Sequence, residues 1–275
     1  LYGTEAQKQR FLPPLAQGEG LGCIMFTEAE TGSDPRLITT LAKPQGDDYI
    51  VNGHKQFVAN APGASHALLF ANNEAGKLNA FILEMNTPGI DIRAPFEMMG
   101  LRGAGVCEVF LDDVKLPAAN RLRGDGEGFD VLLDAISLER IGVSLQAVGL
   151  CQETLDMALE YAKNRVAVGK PIAKLPTIQW LIAEMQVNLE AARWMAYHAA
   201  YIRDRGESIR VESAKAKLFA TQAAVAVTGM GMQVHGAYGT IQDVNLERLY
   251  RDARMTQIYV GNAEIMRVIV ASSLL

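Results

Sequence analysis

Hydrophobic and polar positions follow two different patterns along the chain, and the pattern changes near Pro117. From about Gly22 to Pro117, short apolar runs are separated by frequent turn residues, which predicts many short strands. Beyond Pro117, apolar residues recur at helical spacing over long stretches. We therefore predict an α+β multidomain fold, in which an antiparallel β-barrel or sandwich domain is followed by an antiparallel four-helix bundle.

Turn residues and caps place the individual elements. Asn52-Gly53 lies between Tyr49–Val51 and Lys55–Val58, and Asn-Gly is the strongest short hairpin signal. Near the start, Thr4 is predicted to cap a short helix that Pro13-Pro14 ends. The other predicted elements are a hairpin of His66–Phe70 and Leu78–Leu83 around a turn at Asn72 to Gly76, a strand Val106–Leu111 ending at Asp112-Asp113, and helices at about 128–165, 175–205, 208–235 and 244–275.

Composition and charge narrow the classes of function. Apolar residues make up 49% of the 275 residues and charged residues 21%, as in globular proteins with a sizeable core. The net charge of -5 comes without a basic stripe, which argues against a nucleic-acid partner. No run approaches the about 18 apolar residues of a membrane span. The three cysteines lie far apart in the sequence, which argues against a disulfide scaffold and favours a reducing compartment. The cysteines and histidines show no ligand spacing, so we predict no metal site.

The first long helical pattern carries a carboxylate on its apolar stripe. Glu139 and Arg140 interrupt this stripe, and the helical neighbours of Glu139 carry no charge. A carboxylate that loses water when such a helix packs has a raised pKa, which suits a general base working near neutral pH. Alternatively, Glu139 pairs with Arg140 or another base, or lies at the rim of the core. The stripe comprises Phe129, Leu132, Leu133, Ile136, Val143, Ala147 and Leu150.

Other catalytic motifs have no support in the sequence. The small residues from Gly229 to Gly236 follow a predicted helix rather than a strand and lack the GxGxxG spacing, which excludes a Rossmann loop. There is no GxSxG elbow and no usable Cys-His pattern, so nucleophilic catalysis is not indicated.

The run Phe26-Thr-Glu-Ala-Glu-Thr-Gly-Ser-Asp34 resembles the T-E-P-x-x-G-S-D motif of the acyl-CoA dehydrogenase family. Six further elements resemble family motifs in the same order, and together they cover essentially the whole chain. They are Phe57–Asn60 (W-I-T-N), Met99–Gly103 (G-x-R-G), Val109–Val114 (F-x-D-V), Arg165–Lys170 (R-x-x-F-G-K), Gln233–Gly239 (Q-x-x-G-G-x-G) and Arg251–Arg254 (R-D-A-K).

The resemblance implies a domain organisation. Residues 1–22 are expected to be the end of an N-terminal helical domain, residues 23–120 the middle β domain, and residues 121–275 the C-terminal four-helix bundle. Because the chain begins at Leu1 in mid-pattern, it is expected to be a piece of a longer protein.

The resemblance also implies an activity, the FAD-dependent oxidation of an acyl-CoA to the 2,3-enoyl-CoA. A glutamate removes the α-proton while hydride passes from Cβ to flavin N5. Most members carry this base in a Y-E-G-T loop, which here reads Tyr259-Val260-Gly261-Asn262. The isovaleryl-CoA and long-chain types carry it instead in an L-E-R or Q-E-R run on the first bundle helix, and Leu138-Glu139-Arg140 matches that run. The resemblance thus makes Glu139 the expected base.

Further site residues follow from the same resemblance. The expected substrate-binding residues are Ser33, Arg140, Tyr259, Val260 and Gly261, although Arg140 could equally form a salt bridge inside the bundle. Ala59 replaces the threonine whose hydroxyl approaches flavin N5 in the family. The expected FAD-binding residues are Phe26, Thr27, Ser33, Phe57, Val58, Ala59, Arg165, Gln233, Gly236, Ala237, Asn262 and Glu264.

The resemblance finally implies partners and a setting. The adenosine diphosphate part of FAD is expected to meet Arg165, Gln233 and Gly236 of a neighbouring subunit, which implies a homo-oligomer, either a dimer or a homotetramer. An electron-transferring flavoprotein is the expected acceptor, in fatty acid and lipid metabolism of the bacterial cytoplasm or mitochondrial matrix. The alternatives are an enoyl-CoA reductase, an oxidase, or a non-catalytic subunit of a hetero-oligomer.

Overall fold

The computed structural model describes residues 1–275 and divides into two compact units. The first unit comprises Leu1–Met98 and Arg102–Asp134, and the second comprises Met99–Leu101 and Ala135–Leu275. Each unit has its own apolar core.

The first unit begins with helix α1 (Glu5–Ala16), which Thr4 caps as predicted. The Thr4 hydroxyl accepts from the Gln7 N–H, and the Gln7 side chain accepts from the Thr4 N–H. The prediction that Pro13-Pro14 ends this helix is wrong, because both prolines lie inside it. A proline lacks the N–H donor, but the carbonyls of Pro13 and Pro14 still accept from the N–H groups of Gln17 and Glu19.

The predicted α+β organisation, a β domain followed by a helical domain, is confirmed. The rest of the first unit is one sheet, which is mixed rather than purely antiparallel and does not close into a barrel. The hydrogen-bonded order is β6-β7-β3-β2-β4-β5-β8, and β1 also pairs with β4. Both β1 and β2 run parallel to β4, and such pairing between distant segments leaves no local signal in the sequence. The strands are β1 (Leu21–Met25), β2 (Leu41–Gln45), β3 (Asp48–Val58), β4 (Ala64–Asn72), β5 (Leu78–Glu84), β6 (Ile90–Ile92), β7 (Cys107–Pro117) and β8 (Arg121–Leu122).

Two details of the strands differ from the prediction, and one agrees. The hairpin predicted at Asn52-Gly53 is wrong, because both residues lie inside the continuous strand β3 and the turn lies at Gly46-Asp47. Gly53 is required for close approach instead, since a Cβ there would overlap the Thr40 side chain. Strand β7 also continues past Asp112-Asp113 to Pro117. The β4–β5 hairpin is confirmed.

Long helices dominate the second unit. The first three predicted helices are confirmed within two residues at each end, but the fourth is interrupted between Thr256 and Ala263. The interruption contains Val260 and Gly261, both with left-handed φ angles (57° and 82°), which a continuous right-handed helix does not accommodate. None of the helices is both long and apolar enough to cross a membrane. The helices are α2 (Gly128–Asn164), α3 (Pro176–Asp204), α4 (Arg210–His235), α5 (Leu246–Thr256) and α6 (Ala263–Ser272), with a two-stranded ribbon of β9 (Val166–Ala167) and β10 (Lys170–Pro171) after α2.

The core of the second unit is rich in alanine. Helix α4 packs against α3, α5 and α6, and small side chains such as Ala220, Ala223 and Ala224 allow this close packing. Along α2, Leu132 and Ala147 are buried as the apolar stripe predicts, but Phe129 is 41% exposed. The stripe thus identified the helix and most of its packed face.

Candidate active site

The Glu139 carboxylate lies half-buried on α2 and makes no hydrogen bond or ion pair within the chain. Burial raises its pKa from the ordinary 4.5 to about 7. The alternative of an ion pair with Arg140 is therefore not observed. A carboxylate with this pKa, and with no competing internal partner, can accept a proton near neutral pH.

Tyr259 is a polar side chain whose pKa is affected by the charge of Glu139. Its hydroxyl donates to the Gln146 side chain on α2. Burial raises the pKa of Tyr259 to about 12, the Gln146 hydrogen bond opposes this shift, and the negative charge of Glu139 adds to it. Glu139 and the loop after α5 therefore share one electrostatic environment, which brings two of the predicted site segments together.

Arg140 points into the protein rather than toward solvent. It is 6% exposed, and its buried Nε atom has no hydrogen-bond partner. Burial, together with the positive charge of Arg210, lowers the pKa of Arg140 to about 10. The alternative of a salt bridge inside the bundle is not observed, because none of the ion pairs of the chain includes Arg140.

Lys217, on α4, is a second buried cation that sequence reasoning missed. It is 1% exposed, and its Nζ donates to the Gly261 carbonyl at 2.6 Å. Burial lowers the pKa of Lys217 to about 8, and the charge of Arg140 contributes to the shift. The only available signal was a lysine among alanines and apolar residues in Ser213-Ala-Lys-Ala-Lys217, which is too common to single out.

The loop between α5 and α6 has an unusual backbone. Val260 is a β-branched residue at φ 57°, a conformation that normally requires glycine. The N–H groups of Tyr259, Val260 and Gly261 donate no hydrogen bond within the chain. Asn262 ends the loop as the N-cap of α6, where its side chain accepts from the Ile265 N–H at 2.9 Å. Three backbone donors therefore remain free to bind a ligand.

In the first unit, a buried ion pair anchors the segment that carries Phe26 and Thr27. The Glu28 carboxylate accepts from both the backbone N–H and the hydroxyl of Thr39 and of Thr40, at 2.6–3.0 Å. Its fifth partner is Lys55 Nζ at 2.8 Å, and that ammonium also donates to the Phe26 carbonyl at 3.3 Å. Sequence analysis did not single out Glu28 or Lys55, although Glu28 lies within the recognised T-E-x-x-x-G-S-D run.

Other predicted residues of the first unit differ in accessibility. Phe57 is 56% exposed at a left-handed φ of 55°, with its ring 5.4 Å from that of Phe96. Ser33 and Ala59 are exposed. Val58 is 1% exposed, so its side chain belongs to the core and only its backbone can contact a ligand. Phe57 is thus an accessible aromatic platform of the kind that stacks on a planar ring.

In the second unit, the structure brings four predicted cofactor residues to one surface. Gln233, Gly236 and Ala237 line a shallow depression of about 600 Å³ at the end of α4, and they also line the adjoining depression, which includes Arg165. Tyr238 lies in that depression with the Arg165 guanidinium 5.9 Å from its ring centre. An exposed cation beside an exposed aromatic ring fits the diphosphate and purine groups of a dinucleotide.

Two further motifs meet in the second unit. Leu101 N–H donates to the Asp252 carboxylate at 2.6 Å, and the Arg251 side chain donates to the Met99 carbonyl at 2.5 Å. Gly100 is required there, because a Cβ would overlap the Arg251 backbone. Glu264, by contrast, is exposed on the first turn of α6 and lies 3.8 Å from Arg267.

Comparison with known proteins gives the family. Residues 23–114 match the acyl-CoA dehydrogenase middle domain, and residues 126–275 match the acyl-CoA dehydrogenase C-terminal domain. The chain is 40% identical to acryloyl-CoA reductase (NADH) of Anaerotignum propionicum, over 98% of this chain and 70% of the relative. It is 36% identical to the mitochondrial short-chain specific acyl-CoA dehydrogenase of Rattus norvegicus, over 100% of this chain and 68% of the relative.

Solved structures agree with the sequence relatives. The butyryl-CoA dehydrogenase of Megasphaera elsdenii superimposes with a TM-score of 0.96 at 37% identity, over 99% of this chain and 73% of that one. A structure described with the electron transferring flavoprotein of Acidaminococcus fermentans has a TM-score of 0.97 at 36% identity, over 100% of this chain and 73% of that one. The chain therefore belongs to the acyl-CoA dehydrogenase family, whose members are FAD-dependent oxidoreductases.

Proposed function

We propose that this chain removes the α-proton of an acyl-CoA thioester with Glu139 and forms the 2,3-enoyl-CoA. The observation that carries the proposal is the half-buried Glu139 carboxylate, which has no internal partner and a pKa raised to about 7. The α5–α6 loop supplies no competing base, because Val260 replaces the loop glutamate of most members. When bound, FAD would accept the hydride that leaves Cβ, so that proton, hydride and double bond balance.

The free backbone donors of the loop suit the thioester carbonyl. The N–H groups of Tyr259, Val260 and Gly261 make no internal hydrogen bond, so a carbonyl oxygen that gains negative charge can accept from them. Arg140 and Lys217 place positive charge near the same turn. Ser33 is exposed and available to the CoA side of the substrate. We assign Ser33, Arg140, Tyr259, Val260 and Gly261 to substrate binding, and Lys217 to the support of the turn.

The residues that would hold FAD fit its parts. Phe57 offers an exposed ring for the isoalloxazine, with backbone groups of Phe26, Thr27, Val58 and Ala59 as polar partners. Asn262 and Glu264 lie at the start of α6. The diphosphate and adenosine would meet Arg165, Gln233, Gly236 and Ala237 of a neighbouring subunit, so we propose a homo-oligomer, a dimer or homotetramer.

The rate of substrate-dependent flavin reduction is expected to rise with pH through an apparent pKa near 7, because only the ionised Glu139 accepts a proton.

The folded protein holds the proton of Glu139 more tightly than the unfolded chain, so the stabilising contribution is present below pH 4.5 and lost as pH rises through 7. Glu139→Gln is therefore expected to stabilise the protein at pH 8 by about 2 kcal/mol, after allowance for partial exposure. Rapid-mixing kinetics measures the pH dependence of the rate of flavin reduction, and urea unfolding measures that of the free energy of unfolding. A quantity that stays constant between pH 6 and 8 would contradict the corresponding prediction.

The direct test of the function is anaerobic titration of the FAD-loaded protein with a panel of acyl-CoA thioesters. We expect bleaching of the flavin absorbance and formation of the enoyl-CoA, which mass spectrometry identifies. A chain that binds FAD but is bleached by no acyl-CoA would refute the proposal. A protein that retains FAD only with a second polypeptide would favour a non-catalytic subunit of a hetero-oligomer.

A second candidate is the reverse reaction, reduction of an enoyl-CoA. The observation that favours it is the similarity to acryloyl-CoA reductase (NADH) and, at 37% identity, to the 3-(aryl)acrylate reductase of Clostridium sporogenes. The electron transferring flavoprotein named with one structural neighbour is our proposed electron partner in either direction. Reoxidation of the reduced flavin by enoyl-CoA, by an electron-transferring flavoprotein and by air separates the reductase, dehydrogenase and oxidase alternatives. We propose that the protein works in the bacterial cytoplasm or the mitochondrial matrix.

A further inference from the structure

We propose that Lys217 is a positioning residue that holds the Val260–Gly261 turn in its left-handed conformation and thereby aims the Val260 N–H at the substrate carbonyl. This inference rests on the proposed function and adds a residue to it. Lys217 would act through the backbone, since its ammonium contacts the Gly261 carbonyl and not the substrate.

The Lys217 ammonium makes one close contact, with the backbone of the turn. Its ammonium is 1% exposed and donates to the Gly261 carbonyl at 2.6 Å, and no carboxylate forms an ion pair with it. The Gly261 carbonyl defines the plane of the peptide that joins the turn to the N-cap Asn262. A charged donor on this oxygen therefore fixes the backbone immediately after Val260.

A stability role alone does not account for this lysine. Burying an ammonium without a counter-ion is unfavourable, and the nearby Arg140 adds repulsion, which agrees with the lowered pKa of Lys217. An apolar side chain of similar length would fill the same space without these costs. The compensating gain must come from what the ammonium contacts, which is the Gly261 carbonyl.

The turn needs an external support. A β-branched residue such as Val260 disfavours φ 57°, and Gly261 beside it has wide conformational freedom. If Val260 relaxed to an extended or right-handed conformation, its N–H would rotate away from its present direction. Because catalysis depends on donors that are already aligned, such a rotation would lower kcat more than it weakens binding of the ground-state thioester.

The test compares Lys217→Met with Lys215→Met, a control on the same helix whose ammonium is half-exposed and pairs with Glu212 at 2.9 Å. We expect Lys217→Met to keep FAD, to melt at the same or a higher temperature, and to lower kcat about 10²-fold with little change in KM. The control should resemble wild type in all four readouts.

An acyl-CoA analogue with sulfur in place of C3 gives an independent readout. It can lose its α-proton but has no Cβ hydrogen to transfer, so its enolate accumulates beside the oxidised flavin and produces a long-wavelength absorbance. We expect this band with wild type and Lys215→Met, and its loss with Lys217→Met at saturating analogue.

The outcomes are distinguishable. Wild-type kcat and a normal band in Lys217→Met would overturn the role of Lys217 while leaving the proposed function intact. A lower melting temperature with loss of FAD would assign Lys217 to stability and also overturn the inference. Absence of bleaching in wild type would refute the proposed function itself.

Discussion

Glu139→Gln is expected to lower the rate of substrate-dependent flavin bleaching by about 10²–10⁴-fold while FAD stays bound. Glutamine has nearly the same shape as glutamate but cannot accept the α-proton, and no other carboxylate stands in the loop because position 260 is valine. Since Glu139 makes no hydrogen bond or ion pair within the chain, the change breaks no internal contact. Stopped-flow absorbance with excess acyl-CoA measures the rate directly.

The matched control is Glu153→Gln, an exposed position on the same helix. It should bleach at the wild-type rate. Near-normal bleaching by Glu139→Gln would show that the base lies elsewhere. The double variant Glu139→Gln/Val260→Glu, which returns a carboxylate to the loop, is a second test. Partial recovery of the bleaching rate in this variant would show that the site tolerates the base on either segment.

Lys55→Met is expected to lower the free energy of unfolding by about 3–5 kcal/mol, because it leaves the Glu28 carboxylate charged and buried. Both side chains are almost inaccessible, with 0% of Lys55 and 4% of Glu28 exposed. Burial alone would raise the pKa of Glu28, but Lys55 and the two threonines outweigh it and hold that pKa at about 2. Burial lowers the pKa of Lys55 to about 8, against the opposing charge of Glu28.

The sign of the pH effect follows from Glu28. Its lowered pKa gives stability that is present above its ordinary pKa of 4.5 and is lost as pH falls toward 2, so Lys55→Met should reduce this acid dependence. Urea unfolding between pH 3 and 7 measures it, with the exposed Lys43→Met on β2 as control. A loss of free energy of unfolding below about 1 kcal/mol would show that the four threonine hydrogen bonds suffice to stabilise the buried Glu28 carboxylate without Lys55. FAD affinity should also fall, because the pair anchors the Phe26 carbonyl.

Much of the architecture was predictable because it depends on local chemistry. The Thr4 cap, the β4–β5 hairpin and three long helices follow from caps, turn residues and periodicity within one segment. The failures have equally specific causes. The sequence Asn52-Gly53 is typical of a turn, but Gly53 lies inside strand β3, where the Thr40 side chain packs against it. The parallel pairing of β1 with β4 joins segments that are distant in sequence.

The sequence by itself determined the family, through ordered motifs, and singled out Glu139 as a carboxylate among apolar neighbours. Only the tertiary structure decided that Arg140 has no carboxylate partner, that Lys217 reaches the Gly261 carbonyl, and that Val260 adopts a left-handed backbone. The physical reason is that burial, hydrogen-bond partners and pKa depend on groups brought together from distant helices. One-dimensional spacing reports which face a residue occupies, but not which group it meets there.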